Sequence, residues 1–189
     1  MRYPFVAIAD ERIPRAADAA YQHVVDTYVS ETNKVVSVWH QFSDDDLAFR
    51  PHPRSTNVGE ILKHQLLSER RFFGEFVGVK EPAPSDVMPH VLTVTSAIER
   101  LGELVLARLP QIAEQRTEWW LQRVPFFEVE RERIWVFWRR VLHTAHHRTQ
   151  LTVYLRMLDR VVPPTYGPTA DVKWDGADPT NSVSAAGRK

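Results

Sequence analysis

Three of the eight histidines in this chain fall in one run, His143-Thr144-Ala145-His146-His147. On an α-helix, His143 and His147 are separated by about 40° of rotation and one turn of rise, so both imidazoles can reach one ion. His146 stands roughly 60° or more from either and points elsewhere. Thr144 occupies the place of the glutamate in the zincin signature, so the segment could bind metal without carrying that general base. Two histidines rarely make a functional site, and a third nitrogen or oxygen ligand must come from another helix. His64, His23, His40, His52 and His90 remain as donors. His52 sits between Pro51 and Pro53, and His90 follows Pro89, which marks both as turn residues. His64 falls with Asn57, Glu60, Ser68 and Glu75 on the polar flank of its helix, so its position alone argues for solvent more than for a ligand.

Other chemistries are excluded by what the chain lacks. There is no dinucleotide-binding glycine fingerprint, no phosphate-binding loop and no nucleophile elbow. No histidine follows a glutamate by three positions, as the di-iron carboxylate bundles require. The absence of cysteine removes disulfides, iron–sulfur clusters, cysteine-ligated zinc and a cysteine nucleophile. Among 189 residues, 24 Lys and Arg balance 24 Asp and Glu, which argues against a nucleic-acid partner. No stretch approaches the roughly 18 uncharged apolar residues of a membrane span. The opening MRYPFVAIADERIP is too short and too soon charged for a signal peptide, so a cytoplasmic protein without a membrane partner is the expectation.

The elements that must position the histidines follow from the helix breakers. Neither Pro nor Gly occurs from Arg15 to Arg50 or from Phe126 to Val162. In the first stretch Val24, Val25, Tyr28, Val29, Val35, Val36, Trp39 and Phe42 form one stripe at helical spacing. A second helix opens at Asn57, which with Glu60 fits a capping box, and Ile61, Leu62, Leu66, Phe72, Phe73 and Phe76 continue its apolar side. A third, around VTSAIERLGELVLARL, is expected to end before Pro110. The fourth spans about Glu130 to Arg160 and is apolar over most of its circumference, which suggests a central position. The sum is an all-α protein, a four-helix bundle over residues 1–162. A Pro- and Gly-rich tail over 163–189 is expected to pack through Tyr166 and Trp174 and to fray toward Lys189.

Two segments carry a family resemblance. HTAHHRTQLTVYLRML resembles the helix-four signature of the DinB-like family: a histidine, three residues, then His-Arg-x-Gln. LAFRPHPRSTNVGEILKHQLLSER is similar to the same family's loop and second helix, with its histidine in the run ending KHQ. The region around Asn33 and the VP…YGP stretch after the fourth helix are also similar, so the resemblance spans roughly Thr27 to Pro168. One departure is Thr149, where the motif commonly has glycine. The resemblance implies a four-helix bundle with a metal triad of His64, His143 and His147, and a homodimer. Such a site, with no protein carboxylate, leaves a position for water or substrate. Zn²⁺ or Ni²⁺ would suit three imidazoles. Relatives in the family include thiol S-transferases, so the implied activity is metal-assisted attack by a small-molecule thiol on an electrophile. A hydrolase using metal-activated water, or a non-catalytic metal-binding stress protein, is the alternative.

Four further features carry competing readings. Glu60 could be a base or an orienting carboxylate, but capping is the plainer role. Gln150 could contact His147, against the weightier reading of a solvated or inter-helix polar residue. Seven arginines against two acids over 131–160 could attract an anionic thiol or DNA; pairing with the nine acids of residues 10–60 is the stronger reading. The aromatic group Trp119, Trp120, Phe126, Phe127, Trp135, Phe137 and Trp138 could line a substrate pocket or a dimer face, but core packing should claim most of it; the adjacent Trp119 and Trp120 must diverge, leaving one for an interface or a pocket wall.

Overall fold

The computed structural model describes residues 5–172. Its frame is four long helices: α1 (Gln22–Trp39), α2 (Val58–Arg71), α3 (Val94–Ala113) and α5 (Arg133–Met157). A short α4 (Thr117–Leu121) and a two-stranded antiparallel hairpin, β1 (Arg123–Phe126) and β2 (Val129–Glu132), lie between α3 and α5. α1 packs on α3 and α5, and α2 packs on the same two, so α1 and α2 stand diagonally across the bundle.

The α1 stripe from Val24 to Phe42 is buried as its spacing predicts. From Glu31 onward the polar side of α1 is buried as well: the N-terminal segment lies on Asn33 and Ser37, and Arg148 and Tyr166 lie on Glu31. Asn33 holds that segment by accepting from Ala7 and Ile8 amides at 3.1 and 3.0 Å and donating to the Ile8 carbonyl at 2.9 Å. Ser37 donates to the Phe5 carbonyl at 2.7 Å.

α2 begins with both bonds of the Asn57–Glu60 capping box. It widens into a π-helical turn at Phe72–Val77 and stops at Gly78, whose φ of 83° is left-handed. Glycine takes that conformation without steric cost, and Val79 then donates back to the Phe73 carbonyl at 2.8 Å. α3 does not stop before Pro110 but continues to Ala113. Pro110 lies on the solvent side, where water can take the carbonyl it frees, while Ile112 and Ala113 gain burial.

α5 also differs from expectation. Its buried stripe carries Arg140, Thr144 and Arg148 among apolar residues, whereas Leu142, Val153 and Met157 are exposed on the opposite side. It is therefore a wall of the bundle, not a central helix. Trp120 and Phe137 are fully buried, but Phe127 and Trp135 are exposed, so the aromatic group is divided between core and surface. Trp119 takes the outward direction of the tryptophan pair and stacks under the Arg133 guanidinium. The tail through Val172 has no helix; Tyr166 donates to Glu31 at 2.9 Å and lies under Lys34 and Arg148. Trp174 and Lys189 fall outside the described residues.

The arginines of α5 pair more widely than with the first helix and its loop. Arg148 does meet Glu31 at 2.5 Å, and Arg160 meets Asp46, but Arg140 pairs with Glu69 of α2. Glu69 is the centre of a buried ionic cluster. It accepts from Tyr28 at 2.6 Å, Arg108 at 2.7 Å and Arg140 at 3.2 Å. Arg108 also grips Glu81 with two bonds of 2.5 and 2.8 Å. Burial alone would raise the Glu69 carboxyl, but the two guanidiniums outweigh it and hold the group below the usual carboxylate range. Glu69→Ala would leave Arg140 without a carboxylate in a dry interior, a change that typically costs about 3–5 kcal/mol. Denaturant unfolding should show that loss; a change under about 1 kcal/mol would mean the cluster is better hydrated than its burial implies.

Candidate metal centre

α2 and α5 pack together, and their facing residues bring His64 to His143 and His147. One ring nitrogen from each lies within 4.8 Å of the other two. The ring centroids are 5.3 Å apart for His64–His143, 4.8 Å for His64–His147 and 4.6 Å for His143–His147. Ligand nitrogens of a tetrahedral zinc site are about 3.3 Å apart, so the rings close on an ion with a swing of about an ångström. Among the described residues no other group of three His, Cys, Asp or Glu side chains converges in this way.

Hydrogen bonds fix two of the rings. Tyr154 donates to the Thr56 carbonyl at 3.0 Å and so accepts from Gln150 Nε2, also at 3.0 Å. The Gln150 amide is thereby oriented with Oε1 toward His147 Nδ1 at 3.1 Å. His147 donates there, which leaves its Nε2 lone pair free for an ion; support of this kind fixes the tautomer of metal-binding histidines. Gln150 thus makes the contact to His147, against the weightier reading of a solvated or inter-helix polar residue. On the other side Arg140 Nη1 lies 2.7 Å from His143 Nδ1. A guanidinium only donates, so this nitrogen accepts. A neutral imidazole that gives Nε2 to an ion carries its proton on Nδ1. Holding an ion there therefore requires the His143 ring to turn, or Arg140 to retire onto its other partners, Ser68, Gln65 and Glu69.

The electrostatics keep all three rings neutral. Burial pushes His143 down to about 3, with Arg140, His147 and His64 adding to the effect. Burial likewise lowers His64, with help from Arg140, and lowers His147 against the opposing bond to Gln150. Neutral imidazole is the form that binds a metal.

A groove of about 630 Å³ opens beside the triad toward the hairpin. Its walls include Leu67, Phe72, Phe126 and Phe127, with Arg71 and Arg139 at the rim. Phe72 stacks on the His143 ring at 6.2 Å. Phe127, at the hairpin tip, has φ of 54°, a left-handed conformation that is strained for a bulky residue and costs on the order of 1 kcal/mol.

The remaining histidines are elsewhere. His52 accepts from the Arg54 amide in its turn, His40 stacks on Phe5, His23 stacks near Trp138, and His90 lies in the loop before α3. His146 is exposed, although its ring remains 5.1 Å from that of His147. Glu60 is occupied by its capping bonds and by Arg50 at 3.8 Å, on the exposed start of α2. Arg140 and Tyr154 contact the site's residues and are not marked by spacing, whereas Phe126 and Phe127 come from the aromatic group for which a pocket lining is one reading. The one signal for Arg140 is its position one turn before His143 on the same helix face.

A helical bundle carrying three histidines at the contact of two of its helices is the class this geometry defines. The family model described as the DinB family matches residues 16–175, and the chain belongs to that family. A crystal structure of a DinB-like protein from Bacillus cereus superposes with a TM-score of 0.65 at 18% identity, covering 76% of this chain and 95% of that one. A second DinB-like protein, from Bacillus subtilis, gives 0.61 at 19% identity, covering 76% and 96%. No curated protein matches the chain significantly.

The depressed imidazoles set a pH dependence. A ring whose folded pKa lies below its ordinary 6.5 binds fewer protons folded than unfolded, so stability falls as pH drops below about 6.5. The depressed carboxylates of Glu31 and Glu69 lose their contribution only below their ordinary 4.5, leaving the range above about 5 to the histidines. In chelator-treated protein, Tm should decline between pH 7 and pH 5, and His143→Asn should flatten that decline. A wild-type Tm that is level over this range would contradict the reading.

Proposed function

We propose that this DinB-family chain is a divalent-metal-dependent enzyme that transfers a low-molecular-weight thiol to an electrophile. The observation that carries the reading is the convergence of His64, His143 and His147 beside an aromatic groove. Three imidazoles without a carboxylate suit a late divalent ion such as Zn²⁺ or Ni²⁺ and leave a coordination position for a reactant. When bound, such an ion supplies a Lewis acid that brings proton loss from a thiol into the neutral range. The chain's own residues do the rest. Gln150 and Tyr154 hold His147 in one tautomer. Leu67, Phe72, Phe126 and Phe127 give the electrophile an apolar wall to lie against. The sulfur bonds to the electrophilic carbon, the leaving group departs with its electron pair, and the thiol proton passes to solvent at the groove mouth. Glu69, which shares Arg140 with His143, is committed to Arg108 and Arg140 and so offers no free carboxylate to the triad.

Protein purified without a nickel column should contain about one metal ion per chain by elemental analysis, lost in His64→Ala and His143→Ala with the fold retained. Gln150→Leu should weaken metal affinity by about 10–100-fold, as loss of a ligand-orienting partner generally does. Turnover with bacillithiol, mycothiol or glutathione and a model electrophile should track metal content. Stoichiometric metal without any turnover, and a Tm that collapses on chelation, would instead describe a structural metal site.

A further inference from the structure

The groove has a charge pattern that the triad does not require. His64 and Arg71 lie on one face of α2, two turns apart, and Arg139 lies one turn before His143 on α5. Both arginines line the groove on the side of the triad that faces the hairpin. No Asp or Glu lines it. Arg139 is exposed, and no carboxylate pairs with it among the described residues. Arg71 gives its Nε to Glu75 at 2.9 Å, and its guanidinium lies 5.7 Å from the Phe76 and Phe127 ring centres, leaving its terminal nitrogens to the groove. Phe72, Phe126 and Phe127 line the same space, and Phe127 does so from the left-handed backbone at the hairpin tip. A cavity of this volume matches a small organic molecule.

We propose that the groove binds an organic anion with an aromatic or apolar body, its acid group held by Arg139 with Arg71 as second donor and its body against the phenylalanines, so that a reactive atom at its other end reaches the triad. A planar guanidinium without a protein partner is suited to a two-bond clamp on a carboxylate, sulfonate or phosphate. In the role of reactant, this anion rests on the thiol-transfer reading; its binding does not.

The test uses 2-naphthalenesulfonate, which engages guanidinium but is a poor metal ligand, and neutral N,N-dimethyl-2-naphthalenesulfonamide, a sulfonamide with no N–H to lose to a metal, as its control. Affinities are measured by calorimetry on chelator-treated and Zn²⁺-loaded full-length protein. The sulfonate should bind in both states, more tightly than the sulfonamide and with an affinity that falls with salt. Arg139→Gln should weaken it about tenfold, the usual size for a hydrogen-bonded charge, Arg71→Gln by less, and Arg156→Gln, the same charge change farther along α5, not at all. Circular dichroism shows whether each variant is folded, and Arg139→Lys should retain part of the affinity. Equal binding of sulfonate and sulfonamide, or wild-type affinity in both Arg139→Gln and Arg71→Gln, would overturn the proposal. Sulfonate binding with no thiol turnover would sustain the anion site while removing the transferase reading. Turnover indifferent to the charge of the electrophile and of the thiol, with no sulfonate binding, would do the reverse.

Discussion

A buried carboxylate is the constraint on which this bundle depends. Glu69 of α2 has to remain ionised out of water, and that is possible only because Arg108 of α3 and Arg140 of α5 flank it while Tyr28 of α1 donates to it. The arrangement engages all four long helices at one point. Buried ion pairs of this kind contribute little net stability against an apolar replacement, yet they tolerate only one arrangement of their partners. Here that arrangement extends to the histidine cluster, because the same guanidinium that closes on Glu69 also reaches His143. The position of the site is thus tied to the centre of the core.

The surface side of the site is built differently. The π-helical turn that extends α2 shifts the register of the phenylalanines at 72 and 76, and both stack against Phe126 of the hairpin. A wide turn and a short sheet add a wall that four straight helices would not supply. The groove and its two arginines exist because α2 and α5 carry their polar residues past the histidines toward that wall.

Much of this is legible in the sequence, for physical reasons. The α1 stripe, the Asn57–Glu60 cap and the i,i+4 histidine pair are local patterns, and local spacing is what a sequence displays directly. His64 is different: its polar flank is accurate, since the residue is exposed, but that flank turns out to face α5. Only family resemblance supplied it. The role of Gln150 is not local, because it depends on Tyr154 and on the Thr56 carbonyl 98 positions from that tyrosine. Pairing of the α5 arginines with acids of residues 10–60 is the stronger reading of their charge and holds for Arg148 with Glu31, whereas Arg140 finds its acid, Glu69, on α2, which a count of charges cannot specify. The hairpin was missed because RVPF and VERE are four-residue strands, too short for alternation to stand out. Continuation of α3 through Pro110 depends on solvent at one carbonyl, which periodicity does not register.

The diagonal placement of α1 and α2 bears on how the chain can acquire its structure during synthesis. The first two helices meet across the core mainly through Tyr28, which touches Glu69 and Phe73. They form no packed hairpin of their own, and the first half of the chain holds neither Arg108 nor Arg140. Until α3 is made, Glu69 can be buried only as a neutral acid, and until α5 is made the ionic cluster is incomplete. Early collapse is therefore discouraged by the same group that fixes the finished arrangement. Completion of the charged core thus requires the helix that also carries His143 and His147, so the metal-binding residues and the last partner of Glu69 come in one element.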